Sequence, residues 1–209
     1  KFPAVYLQSN MKEKIIVKSN ELFLNFGFKS VTMDEIASAL GVSKKTIYKC
    51  FNNKTALVTS VTEHIFNNIS CGINQICSLK KNPIEEVFDI KRFIMPNLKD
   101  EKSSPQYQLQ KYYPKIFASI RKKQFEIMQV CVIQNLNDGI EQGLYRKNLD
   151  VEFISRIYFN GMITIKDKEL FPLNNYSMNT LMNYYLEYHL RGICTEKGLE
   201  QLENQLKQK

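Results

Sequence analysis

Thr32-Met33-Asp34-Glu35-Ile36-Ala37-Ser38-Ala39-Leu40-Gly41-Val42-Ser43-Lys44-Lys45-Thr46-Ile47-Tyr48-Lys49-Cys50-Phe51 is the stretch whose reading decides the fold. Thr32 followed three residues later by Glu35 is a capping box, in which a hydroxyl and a carboxylate satisfy backbone N–H groups at a helix start. Gly41 ends that helix, because the turn needs a left-handed backbone that a residue without a Cβ adopts without steric cost. Ser43 caps the helix that follows. Ala37 is small where two helices must approach, and Ile47, six residues beyond Gly41, faces a core completed by Ile36, Leu40 and Val42. These offsets describe a helix-turn-helix. On its second helix Ile47 and Phe51 are four apart and point inward, which leaves Lys44, Lys45, Tyr48 and Lys49 on the other side. That face is basic and aromatic, as a helix lying in a DNA major groove should be.

Outward from this window the chain reads as helical throughout. Ile15, Ile16, Leu22, Phe23 and Phe26 recur at helical spacing from Met11, and Gly27 ends the segment as a C-terminal cap. Asn53 caps a long helix from Lys54 to about Leu79. Further helices are expected over Pro83–Leu98, Pro105–Arg121, Lys122 to about Leu144, Asp150–Phe171, Ser177–Ile193 and Glu196–Gln208, with a polar loop at Lys99–Ser104. Pro96 and Pro114 fall inside two of these windows and should end or kink them. No window alternates apolar and polar residues long enough to propose a sheet, so the expected class is all-α with about ten helices. Residues 1–10 do not join the pattern, and Tyr6-Leu7-Gln8-Ser9-Asn10 before Met11 reads as a protease-site scar left by expression. The expected division is therefore that leader, a helix-turn-helix domain over 11–57 and a larger helical domain over 58–209.

Charge is unevenly spread. The chain carries a formal net charge of +8 over 209 residues, and residues 11–60 hold eight lysines against four acidic residues. A concentrated basic segment is the footprint of a protein that meets a polyanion, although a lysine-rich solvated surface gives the same count. The longest uncharged apolar runs fall far short of the roughly 18–20 residues that a membrane span needs. Five cysteines without a CxxC pair, and no charged-then-apolar leader, point to reduced thiols in the cytoplasm. His64 and His189 lie in separate helices without HExxH, GxSxG, a phosphate-binding glycine loop or metal-ligand spacing, so neither an enzyme nor a metal or cofactor site is expected.

Phe26-Gly27-Phe28, Val31-Thr32-Met33-Asp34-Glu35-Ile36-Ala37, Gly41-Val42-Ser43-Lys44-Lys45-Thr46-Ile47-Tyr48-Lys49-Cys50-Phe51 and Asn53-Lys54 with Leu57 together resemble the N-terminal DNA-binding domain of the TetR family of transcriptional regulators. The resemblance covers about residues 12–60. It implies that Thr32, Tyr48 and Lys54 touch phosphates, that Lys44, Lys45 and Thr46 are the candidates for reading base edges, and that Ser43 caps their helix and can reach a phosphate. Position 50 departs from the family, which usually has His or Tyr there. Either the phosphate contact is missing at Cys50 or Lys49 supplies it.

The resemblance also implies a homodimer whose recognition helices lie about 34–36 Å apart on a palindromic operator. Two stripes are the expected dimer face: Val151, Ile154, Tyr158 and Ile165 with Met162 on one helix, and Met178, Leu181, Met182, Tyr185 and Leu186 on the next. Both stripes would serve equally as core. A ligand pocket is expected between that face and helix four, lined by Phe93, Tyr107, Tyr112, Tyr113, Phe117, Phe125, Met128, Cys131, Phe159 and Met162. Its apolar walls with a few hydroxyls suit a hydrophobic or aromatic small molecule. Binding there would shift helix four and release the protein from DNA, which is repression without ligand. The alternative from another class is a helical small-molecule-binding or interaction protein without sequence-specific DNA binding.

Overall fold

The computed structural model of the protein describes residues 4–98, 105–167, 169–172 and 174–207. Ten α-helices lie among the described residues: α1 Ala4–Phe26, α2 Met33–Leu40, α3 Lys44–Cys50, α4 Lys54–Ser78, α5 Pro83–Ile94, α6 Pro105–Tyr112, α7 Pro114–Glu141, α8 Val151–Thr164, α9 Met178–Ile193 and α10 Glu196–Lys207. The only β pairing among them is an isolated bridge between Tyr145 and Cys194. No described helix is long and apolar enough to cross a membrane. α1 runs without a break from Ala4 through Met11, and the expected loop Lys99–Ser104 lies outside the described residues.

Prolines end two of the expected helical windows, and α8 ends short of a third. α5 stops at Ile94 and passes into a 3-10 turn over Met95–Leu98, because Pro96 lacks the N–H that another helical turn would need. The break expected at Arg121 falls instead at Tyr113. Pro114 takes the first position of α7, where its missing N–H costs nothing, and α7 then continues unbroken to Glu141. α8 ends at Thr164, shorter than the window to Phe171.

The chain divides into two compact units: residues 1–68 with 100–123, and residues 69–99 with 124–209. α6 and the start of α7 belong to the first unit. In that unit Ile15, Phe23, Phe28, Ile36, Ile47, Phe51, Leu57, Val58 and Val61 form the core, with Leu109 of α6 buried against it and Tyr113 and Phe117 packed on its edge. Gly27 has φ 85°, and a Cβ there would stand 2.3 Å from Gln108 Nε2, so glycine both turns the chain and admits the α6 side chain. Gln108 Oε1 in turn accepts the Lys29 backbone N–H at 3.2 Å.

The second unit has two apolar clusters. One joins Ile84 and Phe88 of α5, Leu136 of α7, Leu190 and Ile193 of α9, and Leu202 of α10 around Tyr145. A buried polar group is threaded through it: Asn135 Nδ2 donates to the Pro83 carbonyl at 2.9 Å and to Glu86 Oε1 at 2.8 Å, and its Oδ1 accepts the Tyr145 hydroxyl at 3.2 Å. Burial nevertheless pushes the Glu86 carboxyl up. The other cluster joins Tyr158 and Met162 of α8, and Ile165 at its C-cap, to Leu181, Met182 and Leu186 of α9.

Candidate nucleic-acid interface

The helix-turn-helix is built by local chemistry. Thr32 Oγ1 accepts the Glu35 N–H at 3.2 Å, and Glu35 Oε2 accepts the Thr32 N–H at 2.7 Å, so both halves of the capping box are made. Gly41 adopts φ 65° and ψ 29°, and the N–H of Val42 returns to the Ala37 carbonyl at 3.0 Å. Ser43 Oγ accepts the Thr46 N–H at 3.2 Å and opens α3. Met33, Ile36, Ala37, Ile47 and Phe51 are buried, and Leu40 and Val42 pack on them. With Ile47 and Phe51 committed to the core, Ser43, Lys44, Lys45, Tyr48 and Lys49 are exposed and Thr46 is half-buried.

Of the two acidic residues in the first turn of α2, Asp34 is paired with a lysine. Lys44 Nζ lies 2.8 Å from an Asp34 carboxylate oxygen, which raises the Lys44 pKa, and it stands 6.0 Å above the Tyr48 ring. Such an exposed pair is weakened by solvent screening, so a phosphate or a guanine can take the ammonium from Asp34 at little cost. Lys54 is different. Its Nζ donates to the Lys29 carbonyl at 3.1 Å, tying the start of α4 to the α1–α2 loop. Desolvation lowers its pKa, while the Glu35 carboxylate works in the other direction. Cys50 is half-buried and packs on the core of the first unit, so its short thiol is turned partly away from the basic face.

The structure distributes the ten residues expected to line a pocket over both units. In the first unit Tyr113 packs edge-on against Phe28 at 6.3 Å, and Phe117 lies on the same core. Tyr107 and Tyr112, expected to supply hydroxyls to the pocket, are both exposed, with the Lys111 ammonium 5.5 and 5.7 Å from their rings and the Lys29 ammonium 5.2 Å from Tyr112. Amphipathic rings at helical spacing read alike from sequence whether they line a cavity or carry cations at the surface. In the second unit Phe125 packs on Phe159 at 5.0 Å, Met128 and Met162 belong to the α8–α9 cluster, Phe93 covers Gly72, and Cys131 faces Asn74.

A cleft of about 170 Å³ in the first unit was not legible in the sequence. Thr59, Thr62 and Glu63 of α4 and Lys115, Ile116, Ser119 and Ile120 of α7 line it, and a Glu63–Lys123 ion pair at 3.0 Å spans the same two helices. It is smaller than the roughly 300–1,000 Å³ typical of sites for drug-sized ligands.

Most of the expected dimer stripe packs within the chain. Tyr158, Ile165, Leu181, Met182 and Leu186 are buried within one chain, where α8 and α9 pack on each other. Tyr185 is half-buried and donates its hydroxyl to the Tyr158 carbonyl at 2.9 Å, while Val151 and Ile154 pack on the other cluster and Met178 is half-buried. The most apolar stripe of each helix was consumed by the chain's own core. Exposed instead are Phe153 and Ile157 on α8 and Tyr184 and Tyr188 on α9, each pair one helical turn apart.

Residues 15–61 match the family described as bacterial regulatory proteins, tetR family. The HTH-type transcriptional regulator YerO of Bacillus subtilis is 25% identical over 180 residues, covering 76% of this chain and 60% of its own length. The chain thus spans less than two thirds of that relative. The HTH-type transcriptional repressor KstR2 of Mycolicibacterium smegmatis is 21% identical over 204 residues, covering 91% of this chain and 94% of its own. A transcriptional regulator from Saccharomonospora viridis, solved in complex with choline, superposes with a TM-score of 0.75 at 15% identity over 90% of this chain and 100% of its own. The matched segment coincides with the capped, glycine-turned pair of helices and their lysine-rich face, and over these residues the chain is similar to the bacterial regulatory proteins of the tetR family.

Proposed function

We propose that the protein is a ligand-responsive, DNA-binding transcriptional regulator that acts as a homodimeric repressor in the cytoplasm, is released from a palindromic operator by a hydrophobic or aromatic small molecule, and has no enzymatic activity. The observation that carries this reading is the outward face of α3, where Lys44, Lys45, Tyr48 and Lys49 stand exposed while Ile47 anchors the helix. In this reading residues 11–57 form the DNA-binding domain and 58–209 the ligand-binding and dimerisation domain. Thr32, Ser43, Tyr48, Lys49 and Lys54 hold phosphates, and Lys44, Lys45 and Thr46 meet base edges. The dimer forms between second copies of this chain through Phe153, Ile157, Tyr184 and Tyr188. The ligand is held by the apolar group of the second unit, Phe93, Phe125, Met128, Phe159 and Met162, and acts through its different affinity for the DNA-bound and free states.

Selection from random duplex oligonucleotides at two salt concentrations tests the reading. Enrichment of an inverted repeat is expected; binding that is sensitive to salt but blind to sequence would refute sequence-specific regulation. Against the selected site, Lys44→Ala and Lys45→Ala are expected to lose about 1–3 kcal/mol and to relax sequence preference. Lys54→Ala is expected to weaken all DNA sequences alike, flattening the salt dependence by about one counterion. Equal losses on specific and random DNA for all three variants would remove base reading from α3.

A further inference from the structure

In the second unit α4 and α7 meet through a polar, sulfur-bearing strip. Asn74 and Cys77 are three residues apart on α4 and therefore share a face. Cys131 of α7 lies opposite them, its thiol donating to Asn74 Oδ1 at 3.9 Å and neighbouring the Cys77 thiol. Both cysteines are half-buried, so a small solute reaches them while a second protein's thiol is hindered. The other thiols are placed otherwise. Cys194 is buried in the cluster around Tyr145, Cys50 packs on the first unit, and Cys71 is exposed on α4.

We propose that Cys77 and Cys131 are a redox-active pair that a hydroperoxide converts into an intramolecular disulfide, and that this change alters operator affinity. The second half rests on the regulatory function proposed above; the first half does not. The Cys131 thiolate attacks the outer oxygen of the hydroperoxide, the O–O bond breaks, and the alkoxide leaves as the alcohol with one proton, so that the sulfur becomes a sulfenic acid. The Cys77 sulfur then attacks the Cys131 sulfur, its proton leaves with the expelled hydroxide as water, and the S–S bond closes. Two thiols and one hydroperoxide yield one disulfide, one alcohol and one water. The peroxide is reduced by the two electrons that the sulfurs lose.

The order of attack follows from the contact between the two thiols. A Cys77 thiol donating to Cys131 stabilises the Cys131 thiolate and brings its pKa down to about 7, against the opposing effects of burial and of Glu86. Cys77 is pushed up by the same bond and by burial, so it stays protonated until Cys131 is oxidised. The Asn74 amide can present its N–H₂ to the thiolate as readily as it presents its oxygen to the thiol. A disulfide holds its two Cα atoms within about 4.4–6.8 Å, so closure fixes the spacing of α4 and α7 at this point.

Oxidation of the full chain by hydrogen peroxide, followed by alkylation, proteolysis and mass spectrometry, tests the chemistry without DNA. The expected result is a peptide pair joined through Cys77 and Cys131, lighter by two hydrogens, with Cys50, Cys71 and Cys194 still alkylated. In Cys77→Ser, Cys131 is expected to progress to the sulfinic acid, and Cys131→Ser should consume peroxide about tenfold more slowly. Crosslinks that scatter over Cys71 and Cys50, or five alkylated thiols after oxidation, would overturn the pair; both are read on the wild-type chain, so a misfolded variant does not obscure them. On the selected operator, the oxidised form is expected to differ from the reduced form severalfold in affinity. Equal affinities would overturn the regulatory half, whereas a reduced protein that ignores every operator would overturn the proposed function and leave the disulfide result standing.

Discussion

His189 is kept neutral by its surroundings. Its ring lies 4.8 Å from that of Tyr158 and 6.2 Å from that of Tyr185, and burial brings its pKa down to about 4. The unfolded chain takes up the proton near pH 6.5, so between about 6.5 and about 4 the unfolded state binds more protons than the folded one. Stability is therefore whole above pH 6.5 and falls on acidification through that window, by up to about 3 kcal/mol at about 1.4 kcal/mol per unit. Denaturant unfolding across pH 4–7 is expected to show this slope in the wild type and a smaller one in His189→Phe; identical slopes would contradict it. Sequence alone shows His189 at a helical position but not the two tyrosines that enclose it, one of which comes from another helix. The same limit applies to Lys54, which reads as one more phosphate contact until its hydrogen bond to the Lys29 carbonyl is seen.

Single helices were the most legible level, because their ends depend on neighbours in the chain. The capping box at Thr32 and Glu35, the left-handed Gly41 and the Ser43 cap are all local bonds, and each forms where the residue spacing says it should. Thr32→Ala is expected to cost about 1 kcal/mol in unfolding free energy and Thr32→Ser very little, checked by chemical denaturation. Equal losses for both would mean that the methyl group, not the hydroxyl, matters. Pro114 shows where local reading needs position as well as identity. A proline breaks a helix it interrupts but starts one it heads, and only the path of α6 into the first unit decides which occurs.

Across the whole molecule the proposed dimer face was the least legible feature. Tyr188, 78% exposed, and Phe153, 58% exposed, flank the buried α8–α9 cluster. Tyr188→Asp combined with Phe153→Asp is expected to convert a dimer to a monomer in light scattering at micromolar concentration while leaving helicity unchanged. Tyr107→Asp, at a position about as exposed as Phe153 but in the first unit, should leave the dimer intact. A double variant that still dimerises would move the interface elsewhere. The residues by themselves determined the helical class, the caps and the helix-turn-helix with its basic face, because periodicity and capping act over a few positions of one chain. Tertiary packing alone decided which apolar stripes became core, which tyrosines carry lysines at the surface and which cysteines meet. Hydrophobic burial has no direction of its own, so a stripe of Leu, Met and Tyr shows only that it will be covered, and the helix that arrives against it decides by what.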